Sequence, residues 1–176
     1  MLTTKRYTNQ TFTKHVDDEK GRHRPLRSLP EPAVCKICGD VFANRRWSKP
    51  TVTTAKIKSA SKPQSQAASQ VVCPGCERQR NGVPIGFVYL QGQFLTAHRD
   101  EITRLLEREA ERAAEDNPLA RIMAWQTEPS GQIIVTTTTE HLAQRLGQAL
   151  NKAYCGKTRY GFSHRNKLAR VWWQRD

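Results

Sequence analysis

The chain has 176 residues, is 37% hydrophobic, and carries a net charge of +13 with a pI near 10.0. That length holds one ordinary domain and a small module, and the low apolar content leaves part of the chain outside any core. No apolar run approaches the ~18 residues of a membrane span, and Met1-Leu2-Thr3-Thr4-Lys5-Arg6 lacks the apolar centre of a secretory signal, so the expected compartment is the cytoplasm.

The charge is uneven. Residues 33–76 carry seven Lys/Arg against one acid, and residues 119–176 carry nine against three. Residues 77–118 carry six against eight. A basic excess gathered into two segments is the footprint of a polyanion binder. No basic amphipathic helix, the mark of an acidic-lipid partner, is evident.

Residues 1–32 read as a basic, flexible tail ending in Pro30-Glu31-Pro32. They hold too few apolar residues to offset the entropy of ordering, so the tail is expected to be disordered alone. Residues 33–85 read as a module built on two Cys-x-x-Cys pairs, Cys35-Lys36-Ile37-Cys38 and Cys73-Pro74-Gly75-Cys76, with 34 residues between them. Each pair offers two thiolates to one metal, and four thiolates close a tetrahedral site with no open position for water. The expectation is a four-cysteine zinc ribbon holding one structural Zn2+ at Cys35, Cys38, Cys73 and Cys76. A thioredoxin-type redox pair would need a strand-to-helix junction, a setting not evident at either pair. Structural disulfides would need an oxidising compartment.

A short strand is expected at Val41-Phe42-Ala43. Asn44-Arg45-Arg46-Trp47 then sets two guanidiniums beside an indole. Arg45, Arg46 and Trp47 are therefore candidates for phosphate pairing and base stacking; the competing reading packs Trp47 over the metal. Residues 48–70 contain no acid and read as a mobile basic insert between the knuckles, with some strand propensity from Val52 to Ile57.

Residues 86–176 read as an α+β domain. Gly86 to Leu90 is extended, and Gln93-Phe94-Leu95 after Gln91-Gly92 suggests a hairpin or bulged strand. Ile102, Leu105, Leu106, Ala110 and Ala113 recur at helical spacing within residues 97–116, and Asn117-Pro118 ends the helix. Strands follow at Leu119 to Thr127 and Gln132 to Thr138. A second helix runs from Glu140 to about Tyr154, with Thr138 or Thr139 as cap and Leu142, Leu146, Ala149, Leu150 and Ala153 as its core stripe. Gly156 is placed to end it, and Cys155 reads as a buried small hydrophobe. The last strand is Leu168 to Trp173. The order is β-α-β-β-α-β, that of a ferredoxin-like sandwich.

From Lys152 to Arg175 there are seven basic residues and no acid. Strand alternation buries Ala169, Val171 and Trp173 and sends Arg170 and Trp172 to the open sheet face. Lys157, Arg159, Tyr160, Arg165 and Lys167 lie in an expected loop and join them as RNA-contact candidates. The competing reading buries both tryptophans. Among the five histidines no His-Glu-x-x-His pattern occurs, and there is no phosphate loop or nucleophile elbow. No small-molecule substrate and no catalytic residue are expected.

The ordered series Cys35-x-x-Cys38-Gly39, Arg46-Trp47, Cys73-Pro74-x-Cys76-x-Arg78, Gly86, Gly92, Glu101-Ile102, Pro118-Leu119-x-Arg121-Ile122-Met123, the Thr run 136–139 with His141-Leu142, Gly147-x-Ala149, Gly156 and Arg170-Val171-x-Trp173 resembles an uncharacterised bacterial zinc-ribbon family. That family is itself similar to the N-terminal part of the nonsense-mediated-decay-type adaptor of archaea and eukaryotes, which rides on the large ribosomal subunit. The resemblance covers about residues 32–175. It implies a structural zinc at the four cysteines and a ribosome or ribosomal RNA partner. The chain departs from the pattern at Asn44-Arg45, where a glycine is expected before the Arg-Trp step. The expected function is a monomeric, non-enzymatic RNA-binding protein on the ribosome. A DNA-binding transcription regulator and a zinc-stabilised module for an acidic protein partner are the alternatives.

Overall fold

The structure, a computed structural model, describes residues 29–50, 68–163 and 168–176. It is mixed α+β, with two sheets. None of the described helices is long and apolar enough to cross a membrane. Most of the expected tail and most of the expected basic insert, including Val52 to Ile57, lie outside the described residues.

The first sheet has four strands of three residues each, β1 (Ala33–Cys35), β2 (Val41–Ala43), β3 (Arg46–Ser48) and β4 (Ser69–Val71), in the order β3-β2-β1-β4. β1 pairs antiparallel with β2 and parallel with β4. β2 and β3 form a hairpin around Asn44-Arg45, whose φ values are 52° and 60°. Positive φ at both central residues is the type I′ hairpin turn, whose twist matches that of the strands. Asn accepts it readily, and Arg45 stands where glycine would be the usual choice.

β4 leads into α1 (Pro74–Asn81), with Cys73 as its N-cap and Gly82 closing it in the left-handed conformation. The second Cys-x-x-Cys therefore does sit at a strand-to-helix junction, contrary to the sequence expectation. Helix α1 starts there because Pro74 presets the first turn and the Cys73 sulfur accepts from Cys76 N–H. Its sequence, Glu77-Arg78-Gln79-Arg80, carries no apolar period to announce it.

The second sheet contains β5 (Gly86–Gln91), β6 (Ile122–Thr127), β7 (Ile133–Thr137), β8 (Lys157–Ser163) and β9 (Leu168–Gln174), in the order β6-β7-β5-β9-β8. Between β5 and β6 come α2 (Gln93–Ala97) and α3 (Arg99–Asp116), and α4 (Glu140–Tyr154) follows β7. Three expectations change. Gln93-Phe94-Leu95 is helical, because the β5 edge is already filled by β7 and β9 and Leu95 is buried in the core instead. Residues 119–121 precede β6 and dock on the first module. The expected 157–167 loop holds strand β8, so with the short helix α2 the β-α-β-β-α-β order gains two elements, and β9 enters the sheet parallel to β5.

Alternation decides the faces. Val88 and Leu90 of β5, Val135 of β7 and Ala169, Val171 and Trp173 of β9 point into one core. Ile102 and Leu106 of α3 and Leu142, Leu146 and Leu150 of α4 cover it. Thr139 caps α4 through its side chain, accepting from Leu142 N–H at 3.3 Å. The helix then approaches β9 so closely that a Cβ at Gly147 would lie 2.5 Å from Val171 Cγ1. Ala153 is exposed rather than part of the stripe, since it lies at the last turn beyond the sheet. Cys155 is exposed as well. Its backbone turns out at φ 57°, freeing its carbonyl to accept from Trp173 Nε1 at 2.7 Å.

Candidate metal centre and nucleic-acid interface

The four cysteine sulfurs of Cys35, Cys38, Cys73 and Cys76 all lie within 4.8 Å of one another. Cys35 ends β1 and Cys38 lies in the turn after it, while Cys73 caps α1 and Cys76 lies in its first turn. The knuckle is formed by Gly39 N–H bonding to Cys35 O at 2.9 Å and Cys35 N–H to Asp40 O at 2.8 Å. Cys38 and Cys73 sulfurs are 3.7 Å apart, close to the ~3.8 Å between sulfurs set tetrahedrally at ~2.3 Å from one ion. Cys73 N–H points at the Cys35 sulfur (3.3 Å) and Cys76 N–H at the Cys73 sulfur (3.4 Å). Amide donors of this kind stabilise thiolate charge. The four cysteines can hold one metal ion.

Burial opposes ionisation at Cys35, yet backbone donors from Cys38, Cys73 and Ile37 outweigh it and lower its pKa to about 6. Burial, reinforced by the neighbouring Asp40 carboxylate, pushes Cys38 up to about 11. Burial pushes Cys73 up too. Without metal, Cys35 therefore ionises more readily than Cys38 and Cys73.

Arg121 ties this centre to the second sheet. Its guanidinium donates to Asp40 Oδ2 at 2.7 Å and to the Cys76 sulfur at 3.4 Å. It also holds the Pro118 carbonyl at 2.9 Å, while its own N–H donates to Thr138 Oγ1 at 2.8 Å. Burial alone would lower its pKa; the Cys38 and Cys76 sulfurs more than offset this and raise it. Four thiolates around a divalent ion would leave a net negative charge, which the Arg121 guanidinium, shared with Asp40, offsets only in part. Asp40 accepts from the Cys38 thiol at 2.9 Å; if a metal replaced that proton, which would leave to solvent, Arg121 would remain as the carboxylate's partner. Arg78 of α1 makes a parallel link, donating to Thr138 O at 2.9 Å. Burial lowers its pKa. Leu119 packs against the cysteine cluster, so the two sheets meet through the loop before β6 and the end of β7.

Trp47 belongs to this cluster. It is buried and packs on Phe42 with ring centroids 5.2 Å apart. Its indole is thus core, and the reading that packs it over the metal fits where it lies. Arg45 and Arg46 are exposed at the hairpin tip.

A second cluster lies on the five-stranded sheet, on the face opposite the helices. Pairing sets Arg170 beside Phe87 and Trp172 beside Tyr89, with Arg159 beside Trp172 on the other side. Phe87 and Tyr89 are near-parallel, 13° apart with centroids at 6.3 Å; Tyr89 and Trp172 are 11° apart at 5.7 Å. Arg159 sits over the Trp172 ring at 5.3 Å and Arg170 over Phe87 at 6.0 Å. Lys157 is exposed two residues before Arg159 on the same face of β8. Trp172 reaches across β8 over Gly161, where a Cβ would meet its Cζ3 at 2.9 Å and its Cη2 at 3.1 Å.

The structure thus brings together Lys157, Arg159, Arg170 and Trp172. Tyr160 alternates to the helix side of the edge strand, 39% exposed, with its phenol pKa raised by burial. Arg165 and Lys167 lie outside the described residues. Phe87 and Tyr89 were missed from the sequence. Their alternation with Val88 and Leu90 signals the open face, but their place beside Arg170 and Trp172 depends on β9 pairing with β5. In comparisons with family profiles, curated proteins and solved structures, no match to this chain was found.

Proposed function

We propose that this chain is a non-enzymatic, zinc-containing RNA-binding protein that works in the cytoplasm as a monomer and associates with the ribosome, on its large subunit. The observation that carries the reading is the open sheet face, where three partly buried aromatic rings lie in series with Arg159 and Arg170. Aromatic rings interleaved with guanidiniums suit nucleic acid, because bases stack on the rings and phosphates pair with the cations. The net charge of +13 supports the same class of partner, and the resemblance to ribosome-associated adaptors favours ribosomal RNA within it.

The bound ion is proposed to be a single structural zinc. Four sulfur donors within 4.8 Å of one another suit a soft-ligand site, and zinc there would fix the short strands of the first sheet. Its chemical contribution would be to cross-link the two knuckles; Arg121, held by Asp40, would offset part of their charge. The test is sedimentation with ribosomes at low and raised salt. Co-sedimentation at low salt and release as salt rises is expected, because phosphate contacts release counterions. A protein that stays in the supernatant at low salt would overturn the reading.

A further inference from the structure

We infer that the open face of the five-stranded sheet takes unpaired nucleotides, stacking their bases on the Phe87, Tyr89 and Trp172 rings while Arg159 and Arg170 pair with the phosphates. The inference deepens the RNA-binding reading above and rests on it. Three observations carry it.

The rings are near-parallel in sequence across β5 and β9, at 13° and 11° to their neighbours, and Phe87, Tyr89 and Trp172 are all only partly buried. A planar aromatic series flanked by Arg159 and Arg170 calls for planar partners. A base-paired duplex hides its base faces within its own stack and presents phosphates, sugars and base edges. Such a duplex could use the arginines but would leave the rings without partners. An unpaired segment offers both faces and phosphates.

The arginines already sit where an exchange is possible. In the free protein each guanidinium rests over a ring, Arg159 at 5.3 Å from Trp172 and Arg170 at 6.0 Å from Phe87. A cation over an exposed ring is held more weakly than a base stacked on it. An incoming base therefore displaces the guanidinium, which stays tethered one strand away, within reach of the phosphate on either side of that base. Each arginine shields a ring when no RNA is present and binds backbone when it is.

Gly161 positions the platform. Any side chain there would run into the Trp172 six-membered ring, lifting it off β8 and away from Arg159. Gly161 is thus a positioning residue rather than a contact.

The experiment uses the full, metal-loaded chain with a labelled oligouridine and a labelled RNA duplex of the same length at one salt concentration. The wild type is expected to bind the oligouridine about tenfold or more tightly than the duplex, and its tryptophan fluorescence to be quenched by the oligouridine. Trp172→Leu should weaken oligouridine binding by about 5- to 150-fold, leave duplex binding within about twofold, and remove much of the quenching. Arg159→Gln, an exposed change that should not disturb folding, should weaken oligouridine binding and flatten its salt dependence by about one unit of slope. Equal binding of duplex and oligouridine by the wild type overturns the inference while leaving RNA binding in place. So does an unchanged oligouridine affinity in folded Trp172→Leu or in Arg159→Gln. Failure of the wild type to bind either RNA at low salt removes the RNA-binding reading itself.

Discussion

The two sheets are held together by different means. Among the described residues, the apolar cluster of the five-stranded sheet and its helices holds sixteen buried residues, whereas the cluster of the four-stranded sheet and α1 holds four, of which three are cysteines. Strands of three residues with one buried tryptophan cannot form an independent apolar core. The small sheet therefore depends on what its cysteines bind and on its anchorage through Arg121, Arg78 and Leu119. The large sheet depends on hydrophobic burial and would keep its fold without them. The proposed roles divide in the same way: a metal at the cysteines would fix the shape of the small sheet, and the open face of the large sheet would meet the proposed RNA partner.

The widest separation should come from metal removal. Structural zinc contributes on the order of 10 kcal/mol to small metal-dependent folds. Cys76→Ser, or chelation of the wild type, should abolish hydrogen-exchange protection in β1, β2 and α1 while β5, β7 and β9 keep theirs. Loss of protection in both sheets together would show that the large domain does not stand alone. The same centre has a defined pH response. Cys38, raised to about 11 by burial and Asp40, and Cys73, also raised by burial, hold their protons at neutral pH without metal. Binding must release those protons, so apparent metal affinity falls as pH is lowered. Calorimetry in two buffers of different ionisation enthalpy measures that release; an affinity that does not change with pH would contradict it.

The converse experiment attacks the large sheet alone. Leu146 is fully buried beneath the sheet, and Leu146→Ala should cost about 2–5 kcal/mol of its stability. Metal affinity should stay near that of the wild type, as read by a competing chromophoric chelator. A parallel loss of metal affinity would mean the two sheets share one cooperative unit.

Arg121→Gln tests the joint between them. It removes a charge-assisted bond to a buried carboxylate, an interaction worth about 2 kcal/mol. Metal should bind more weakly, because the thiolate cluster loses its balancing cation, while the melting of the large sheet changes less than in Leu146→Ala. Restoration by Arg121→Lys should be incomplete, since one ammonium cannot reach Asp40, Cys76 and Pro118 in the same fork geometry. The smallest effect on stability belongs to Arg170→Gln on the open face, within about 0.5 kcal/mol, although it should weaken RNA binding.

What could be read from the sequence follows the same division. Helix α4 was legible from its Leu142, Leu146 and Leu150 spacing and its Thr139 cap, and β9 from alternation that buried Val171 and Trp173. The metal site was legible because four cysteines in two close pairs leave few other uses. Helix α1 was not, since its start is set by Pro74 and the Cys73 cap while Glu77 to Arg80 carry no apolar period. Strand β8 read as a loop because Lys157, Arg159 and Gly161 give an edge strand the charges and glycine that blunt edges. Phe87 and Tyr89 escaped as site residues for a longer-range reason. Only the insertion of β9 next to β5, more than eighty residues away in the chain, brings Trp172 and Arg170 beside them.

The central claim is that the open sheet face, held beside a metal-fixed module, is where the RNA binds. The direct measurement is ultraviolet crosslinking of the metal-loaded protein to ribosomes, with the crosslinked peptides mapped. The account predicts crosslinks on β5 around Phe87 and Tyr89 and on β8 and β9 around Arg159 and Trp172. Crosslinks confined to residues 33–50, or none at all at low salt, would contradict it.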